Sequence, residues 1–115
     1  MLIIKEPILF SELQKNHIHF FQNLIKIVVD IKNKRIMADA EMHADLEQAL
    51  IERGSCQEDL WGANLYLNKT KETFVEFTSL INIRPSQKNR SMEIQDPSLR
   101  GQMHDVIHHL IQYDV

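Results

Sequence analysis

The chain has 115 residues, a formal net charge of −3 and a pI near 6.0, with 43% hydrophobic and 25% charged residues. That balance fits one soluble domain spanning residues 1–115, and it argues against a nucleic-acid coat protein or a polybasic membrane anchor. Cys56 is the sole cysteine, so no intramolecular disulfide can form, and a cytoplasmic location is expected. The opening residues lack the basic and apolar regions of a signal peptide. The apolar stretch Leu24 to Ile31, interrupted by Lys26 and Asp30, is too short to span a bilayer, so no membrane partner is expected.

Leu2 to Ile4 reads as a short first strand ended near Pro7. Ser11 and Gln14 form a capping-box pattern, and Leu13, His17, Phe20, Phe21 and Leu24 recur at helical spacing, which predicts a helix over about Glu12 to Ile25. The β-branched run Ile27 to Ile31 predicts a strand, the polar Lys32–Lys34 a turn, and Arg35 to Ala38 its returning partner. Met42, Leu46, Ala49 and Leu50 predict a second helix over about Glu41 to Arg53, with Gly54 as the glycine just past its end. An irregular segment, Ser55 to Gly62, precedes a short strand at Ala63 to Leu67.

Thr73 to Arg84 reads as the longest strand, with Val75, Phe77, Ile81 and Ile83 on one face and Glu76, Thr78, Leu80, Asn82 and Arg84 on the other. Asp96 as N-cap and Pro97 at the first helical position open a last helix with Leu99, Met103, Val106, Ile107, Leu110 and Ile111 as its apolar stripe. The expected class is α+β: a mainly antiparallel sheet of about four to five strands, with three helices packed on one face.

The phrases DAEMHADLEQALIERGSCQEDLWGANLY and FTSLINIRPSQKNRS resemble those of a family of small, uncharacterised bacterial and archaeal proteins, a domain of unknown function. The family's wording is LHAD, GS.Q.DLWG.N.Y and INIRP.Q.NRS. This chain departs from it with Met42 in place of Leu and Leu67 in place of Pro, and the likeness covers nearly the whole chain. The resemblance implies a compact cytoplasmic domain. It implies no activity and carries over no catalytic residue.

Four constellations bear chemistry. Asn82, Arg84, Gln87, Asn89, Arg90 and Ser91 gather guanidinium forks and neutral donors around Pro85, a set suited to a carboxylate or phosphate, with Ser86 and Asn64 beside it. The bland alternative is a solvated loop whose side chains cap its own turns. At the start of the second helix, Glu41, His43, Asp45 and Glu47 offer i, i+4 pairs fit for a divalent metal or an acid/base pair, although no HExxH-type signature accompanies them. Acidic residues there also favour the helix dipole without any function. Trp61 reads as a core plug whose indole N–H finds a backbone carbonyl, with base or ring stacking as the alternative. His104, His108 and His109 lie on the last helix, where adventitious metal binding is the most they suggest. Cys56 has no paired base to activate it.

Three functional classes follow. The leading one is a module binding a small anionic ligand through Asn82 to Ser91. The second is a metal-dependent hydrolase or nuclease with His43, Asp45 or Glu76 as catalytic candidates and Glu41, His43 and Glu47 as metal candidates, aided by Asp30, Arg84 and Arg90. The third is a protein-interaction domain acting as a homo-oligomer. No cofactor is indicated.

Overall fold

A computed structural model describes residues 1–115. In chain order it contains β1 (Leu2–Ile4), β2 (Ile8–Leu9), α1 (Phe10–Asn16), β3 (Leu24–Asp30), β4 (Arg35–Ala38), α2 (His43–Glu52), β5 (Leu60–Tyr66), β6 (Val75–Glu76), α3 (Pro97–Leu110) and β7 (Ile111–Gln112). Three single 3₁₀ turns lie at Gln57–Asp59, Leu80–Asn82 and Pro85–Gln87. The main sheet is five-stranded, wholly antiparallel, in the order β1-β4-β3-β5-β6, and β2 and β7 form a separate parallel pair. The fold is α+β.

The β3–β4 hairpin follows from its sequence. β3 supplies β-branched residues, and the turn is fastened by Asp30, whose Oδ1 accepts the N–H groups of Lys32 and Asn33 at 3.1 and 2.9 Å. Its Oδ2 accepts from Asn33 Nδ2 at 2.9 Å and Ser55 Oγ at 2.5 Å, and Arg35 Nε lies 3.5 Å away. Burial pushes this fully enclosed carboxyl up, but those hydrogen bonds and the Arg35 charge together hold it below the usual carboxylate range. Asp30 is thereby committed to the hairpin.

Both faces of the sheet are covered, which corrects the expectation of helices on one face only. Ile25, Ile27, Val29, Ile36, Ala63 and Leu65 pack with α1 and α3 through Phe10, Leu13, Met103, Ile107 and Leu110. Val28, Met37 and Leu60 point the other way, onto Leu46, Ala49 and Leu50 of α2. Strict alternation along the central strands puts apolar side chains on both sides, and each side needs a helix to remove it from water. Trp61 belongs to the first cluster and is buried, as expected of a plug, but its indole N–H finds no acceptor in the chain.

Three element expectations change. The first helix is seven residues long, because His17 to Asn23 leave the helical path and β3 begins at Leu24. Ser11 does not cap it: its Oγ and N–H donate to Asp114, and Gln14 reaches Leu67 O at 2.6 Å. β5 starts at Leu60, taking Trp61 and Gly62 out of the irregular segment.

The third change is the largest. Thr73 to Arg84 is not one long strand. Only Val75–Glu76 pairs with β5; Thr78 bridges to Glu93, and the chain then turns as a 3₁₀ helix whose first N–H groups are met by Ser79, its Oγ accepting from Ile81 N. Asn82 and Arg84 therefore do not share the face of a strand.

Candidate functional site

β6 ends early, so beyond Asn64 the outer edge of β5 has no strand beside it. Backbone groups on a buried edge must still be paired, and the side chains of the Ile81–Ser91 segment pair them. Asn82 Oδ1 accepts the Gly62 N–H at 2.8 Å, and Asn82 Nδ2 donates to Gly62 O at 3.0 Å and Met92 O at 3.2 Å. Two residues on, Arg84 donates to Leu60 O, to Gln57 O at 2.8 Å and, through Nε, to Ile81 O at 2.9 Å. Its guanidinium lies 4.3 Å from the Trp61 ring centroid and 3.4 Å from Glu47 Oε2. Burial lowers the Arg84 pKa from its ordinary value while Glu47 pulls it back up. Asn82 and Arg84, two apart, thus serve Gly62 and Leu60, also two apart.

The rest of that segment is organised around Asn89, which is buried. Its Nδ2 lies 2.8 to 3.0 Å from the carbonyls of Asn82, Ser91 and Glu93, and its Oδ1 accepts from Gln95 N at 3.1 Å. Gln87 Nε2 donates to Glu58 O, and its Oε1 accepts from Arg84; Ser91 Oγ accepts from Glu93 N. Of the six residues proposed for an anion, Arg90 alone makes no hydrogen bond or ion pair within the chain; the side chain of neighbouring Lys88, at a left-handed φ of 63°, is free as well.

The start of α2 and the Pro85 loop do meet, through Glu47 and Arg84. They do not assemble a metal set: nowhere in the chain do three His, Cys, Asp or Glu side chains converge. Glu41 and Asp45 are exposed, and Glu76 is occupied by Asn64 Nδ2 at 2.9 Å and Tyr66 Oη at 3.0 Å. His104 and His108 stack at 4.0 Å between ring centroids, and His108 also meets Phe74 edge-on.

What the α2 start does build is a cleft of about 350 Å³ against the Thr78–Ile81 turn, lined by Leu24, Lys26, Met42, His43, Ala44, Asn64, Thr78, Ser79, Leu80, Ile81 and Met92. Its rim carries Met42, Leu80 and Met92, exposed by 56%, 68% and 40%. His43 is buried and donates Nε2–H to Ala63 O at 2.8 Å, which leaves Nδ1 as the acceptor of a neutral ring. Burial holds its pKa below the ordinary imidazole value, and the nearby Lys26 charge pushes the same way against the Ala63 hydrogen bond and the adjacent Asn64 amide. Asn64 spends Nδ2 on Glu76 and on Thr78 O, which fixes its amide orientation and leaves Oδ1 buried with no partner. Met42 occupies the N-cap position of α2 without any side-chain cap; Asp45 N donates to Met42 O at 3.2 Å, and the N–H groups of His43 and Ala44 are left without an acceptor in the chain. His43 and Asn64 are among the residues that the sequence marks as candidates; Lys26, Thr78 and Ser79 are not. Lys26 was visible only as a cation interrupting an apolar strand.

Fold and site together define a small α+β domain whose sheet edge is completed by side chains and whose α2 start opens an apolar-rimmed cleft. The chain belongs to the family described as protein of unknown function (DUF5674), which it matches over residues 2–110. No curated protein and no solved structure matches it. No helix is long and apolar enough to cross a membrane.

Proposed function

We propose that this chain is a ligand-binding domain whose ligand is a small molecule with an apolar body and an anionic head, seated in the cleft at the start of α2. The observation that carries this reading is the convergence in one apolar-rimmed cleft of the uncapped α2 N-terminus, Lys26, neutral His43 and the unpartnered Asn64 Oδ1. Apolar walls with a few convergent polar groups are the usual make-up of a small-molecule site. A carboxylate or phosphate would take the helix N–H groups and Lys26, a donor on the ligand would meet Asn64 Oδ1 or His43 Nδ1, and the Met and Leu rim would cover the apolar part.

This keeps the anionic ligand class that the donors of Asn82 to Ser91 suggested, and places its head beside that segment. Asn82, Arg84 and Asn89 then act by holding the Thr78–Ile81 wall against β5. The hydrolase reading is the weaker one, because no carboxylate lines the cleft. A cytoplasmic setting agrees with the exposed, unpaired Cys56.

The test is a thermal-shift series with benzoate, octanoate and indole-3-acetate, each against its uncharged amide. A ligand that binds the native state raises the melting temperature by mass action. We expect the carboxylates to stabilise the wild type, the amides to do so less, and Ala44→Trp, which fills the cleft from an exposed position, to abolish the effect. No stabilisation by any acid, or stabilisation that survives Ala44→Trp, overturns the reading. The exposure of Met42, Leu80 and Met92 favours one other occupant, a second copy of the chain. Concentration-dependent sedimentation that Leu80→Asp abolishes would establish it instead.

A further inference from the structure

At the opposite end of α2, about 15 Å from the cleft at the 1.5 Å rise of an α-helix, lies a second and chemically different concavity. It is an open concavity of about 340 Å³, lined by Lys5, Asn33, Lys34, Arg35, Arg53 and Gly54, with no hydrophobic residue and no carboxylate. Four cations thus converge from three separate segments: the end of β1, the β3–β4 turn and the end of α2. The chain as a whole carries a net charge of −3, so this is a local positive island.

Part of this charge has a structural explanation. Arg53 Nη1 donates to Ala49 O at 3.0 Å and Arg35 Nη2 to Arg53 O at 3.1 Å, so both satisfy carbonyls at the negative end of α2. Arg35 also faces Asp30 and Ser55. That account stops at the two arginines. Lys5 and Lys34 make no hydrogen bond or ion pair within the chain, and Arg53 has no carboxylate partner. Arg35 is held rigidly, its side chain only 16% exposed, by Asp30, Ser55 and the Arg53 carbonyl. The hydrogen bonds to Ser55 and the Arg53 carbonyl both use Nη2; the buried Nε makes only the 3.5 Å ion-pair contact with Asp30, and Nη1 makes no bond within the chain. A guanidinium fixed by neighbours, flanked by two free ammonium groups and a second guanidinium, is the arrangement that recognises a compact, multiply charged anion. The cations close around one concavity and do not run in a stripe, which suits a single phosphate group or a diphosphate better than a nucleic-acid backbone.

We propose that Lys5, Lys34, Arg35 and Arg53 form a binding site for a phosphate monoester or diphosphate group, separate from the cleft at the α2 start. The probe is sodium diphosphate, titrated calorimetrically into the full chain at low salt. We expect saturable binding that weakens as salt rises, and a loss of about tenfold or more in the Lys5→Ala/Lys34→Ala double variant. Both lysines are exposed and unbonded, so that variant should melt at the wild-type temperature. Lys88→Ala/Arg90→Ala removes the same charge from the Pro85 loop and should leave binding unchanged. Two sources could supply the group, and sedimentation with vesicles carrying a phosphorylated inositol headgroup separates them. Co-sedimentation lost in the Lys5/Lys34 variant assigns a lipid headgroup; diphosphate binding without co-sedimentation assigns a free ligand. The proposal is overturned if neither arm shows binding, if the Lys5/Lys34 variant binds as wild type, or if the Lys88/Arg90 variant loses as much, which would mean diffuse charge and no site.

Discussion

Gly62 N–H and C=O are paired, at 2.8 and 3.0 Å, by the side chain of one residue, Asn82. Replacing Asn82 by Ala removes both partners at once and leaves buried backbone groups unsatisfied, a penalty of about 2–4 kcal/mol. The urea midpoint should fall accordingly with an unchanged slope; a loss under about 0.5 kcal/mol would mean that Met92 or the neighbouring turn can take over the edge. Gly62 itself is constrained by the same packing. A Cβ there would sit 2.5 Å from Ser79 Cβ and 2.7 Å from its Oγ, so Gly62→Ala should destabilise by roughly 1–3 kcal/mol through overpacking. Ser79→Gly in the same chain should restore part of that loss, and a double variant no better than the single would exclude this contact as the cause. At this scale the residue types of the candidate sites were legible, but their roles were not. Asn82, Arg84 and Asn89 carry the donors expected of a binding loop, and those donors are used on the chain's own carbonyls.

Among the elements, legibility tracked how local the determinants are. α3 matched most of its expectation because its signals lie within it: Asp96 Oδ1 accepts from Ser98 N at 2.9 Å, Pro97 needs no N–H partner at the first helical position, and Met103, Val106, Ile107 and Leu110 form the buried stripe, while Leu99 is half-buried and Ile111 leaves the helix to pair with Ile8. Asp96→Ala should cost about 1 kcal/mol, the usual value of an N-cap, seen as a small drop in melting temperature with α3 otherwise intact by amide exchange. The β3–β4 hairpin and the glycine after α2, Gly54 at φ 93°, were equally local. The Thr73–Arg84 segment failed for the opposite reason. Its alternation of Val75, Phe77, Ile81 and Ile83 is real, yet Ile83 is exposed and Asn82 fully buried. Pairing with Gly62 and Leu60, about twenty residues away in sequence, outweighed the local preference for extended backbone. α1 was over-extended in the same way: the apolar residues from His17 to Leu24 recur at helical spacing, but His19 is drawn to Asp39, its ring Nδ1 and its N–H both contacting that carboxylate.

Across the whole molecule, one buried and one half-buried histidine, His43 and His108, tie stability to pH. Burial holds both His43 and His108 below the ordinary imidazole value, His108 also feeling His104 and Lys71. The unfolded chain takes up these protons near pH 6.5, whereas the folded chain resists them until a lower pH. Their contribution is therefore intact above about pH 6.5 and is lost as the pH falls below it toward the folded-state values. The melting temperature should decline between pH 7 and pH 5, and His43→Gln, which can still donate to Ala63 O, should flatten the decline. An unchanged slope in that variant would assign the effect to other groups.

The sequence by itself determined the α+β class, the central hairpin, the second and third helices and the family, because short-range periodicity, caps and turn residues encode these within a dozen residues. Only the tertiary structure decided that the sheet is covered on both faces, that Asn82 and Arg84 complete an edge, and where cations and acceptors gather. Lys5, Lys34, Arg35 and Arg53, like Lys26, His43 and Asn64, lie far apart in the chain. Their proximity depends on which strands pair and on which side each helix packs, and these are settled by long-range burial of apolar surface and by the need to pair every enclosed backbone group.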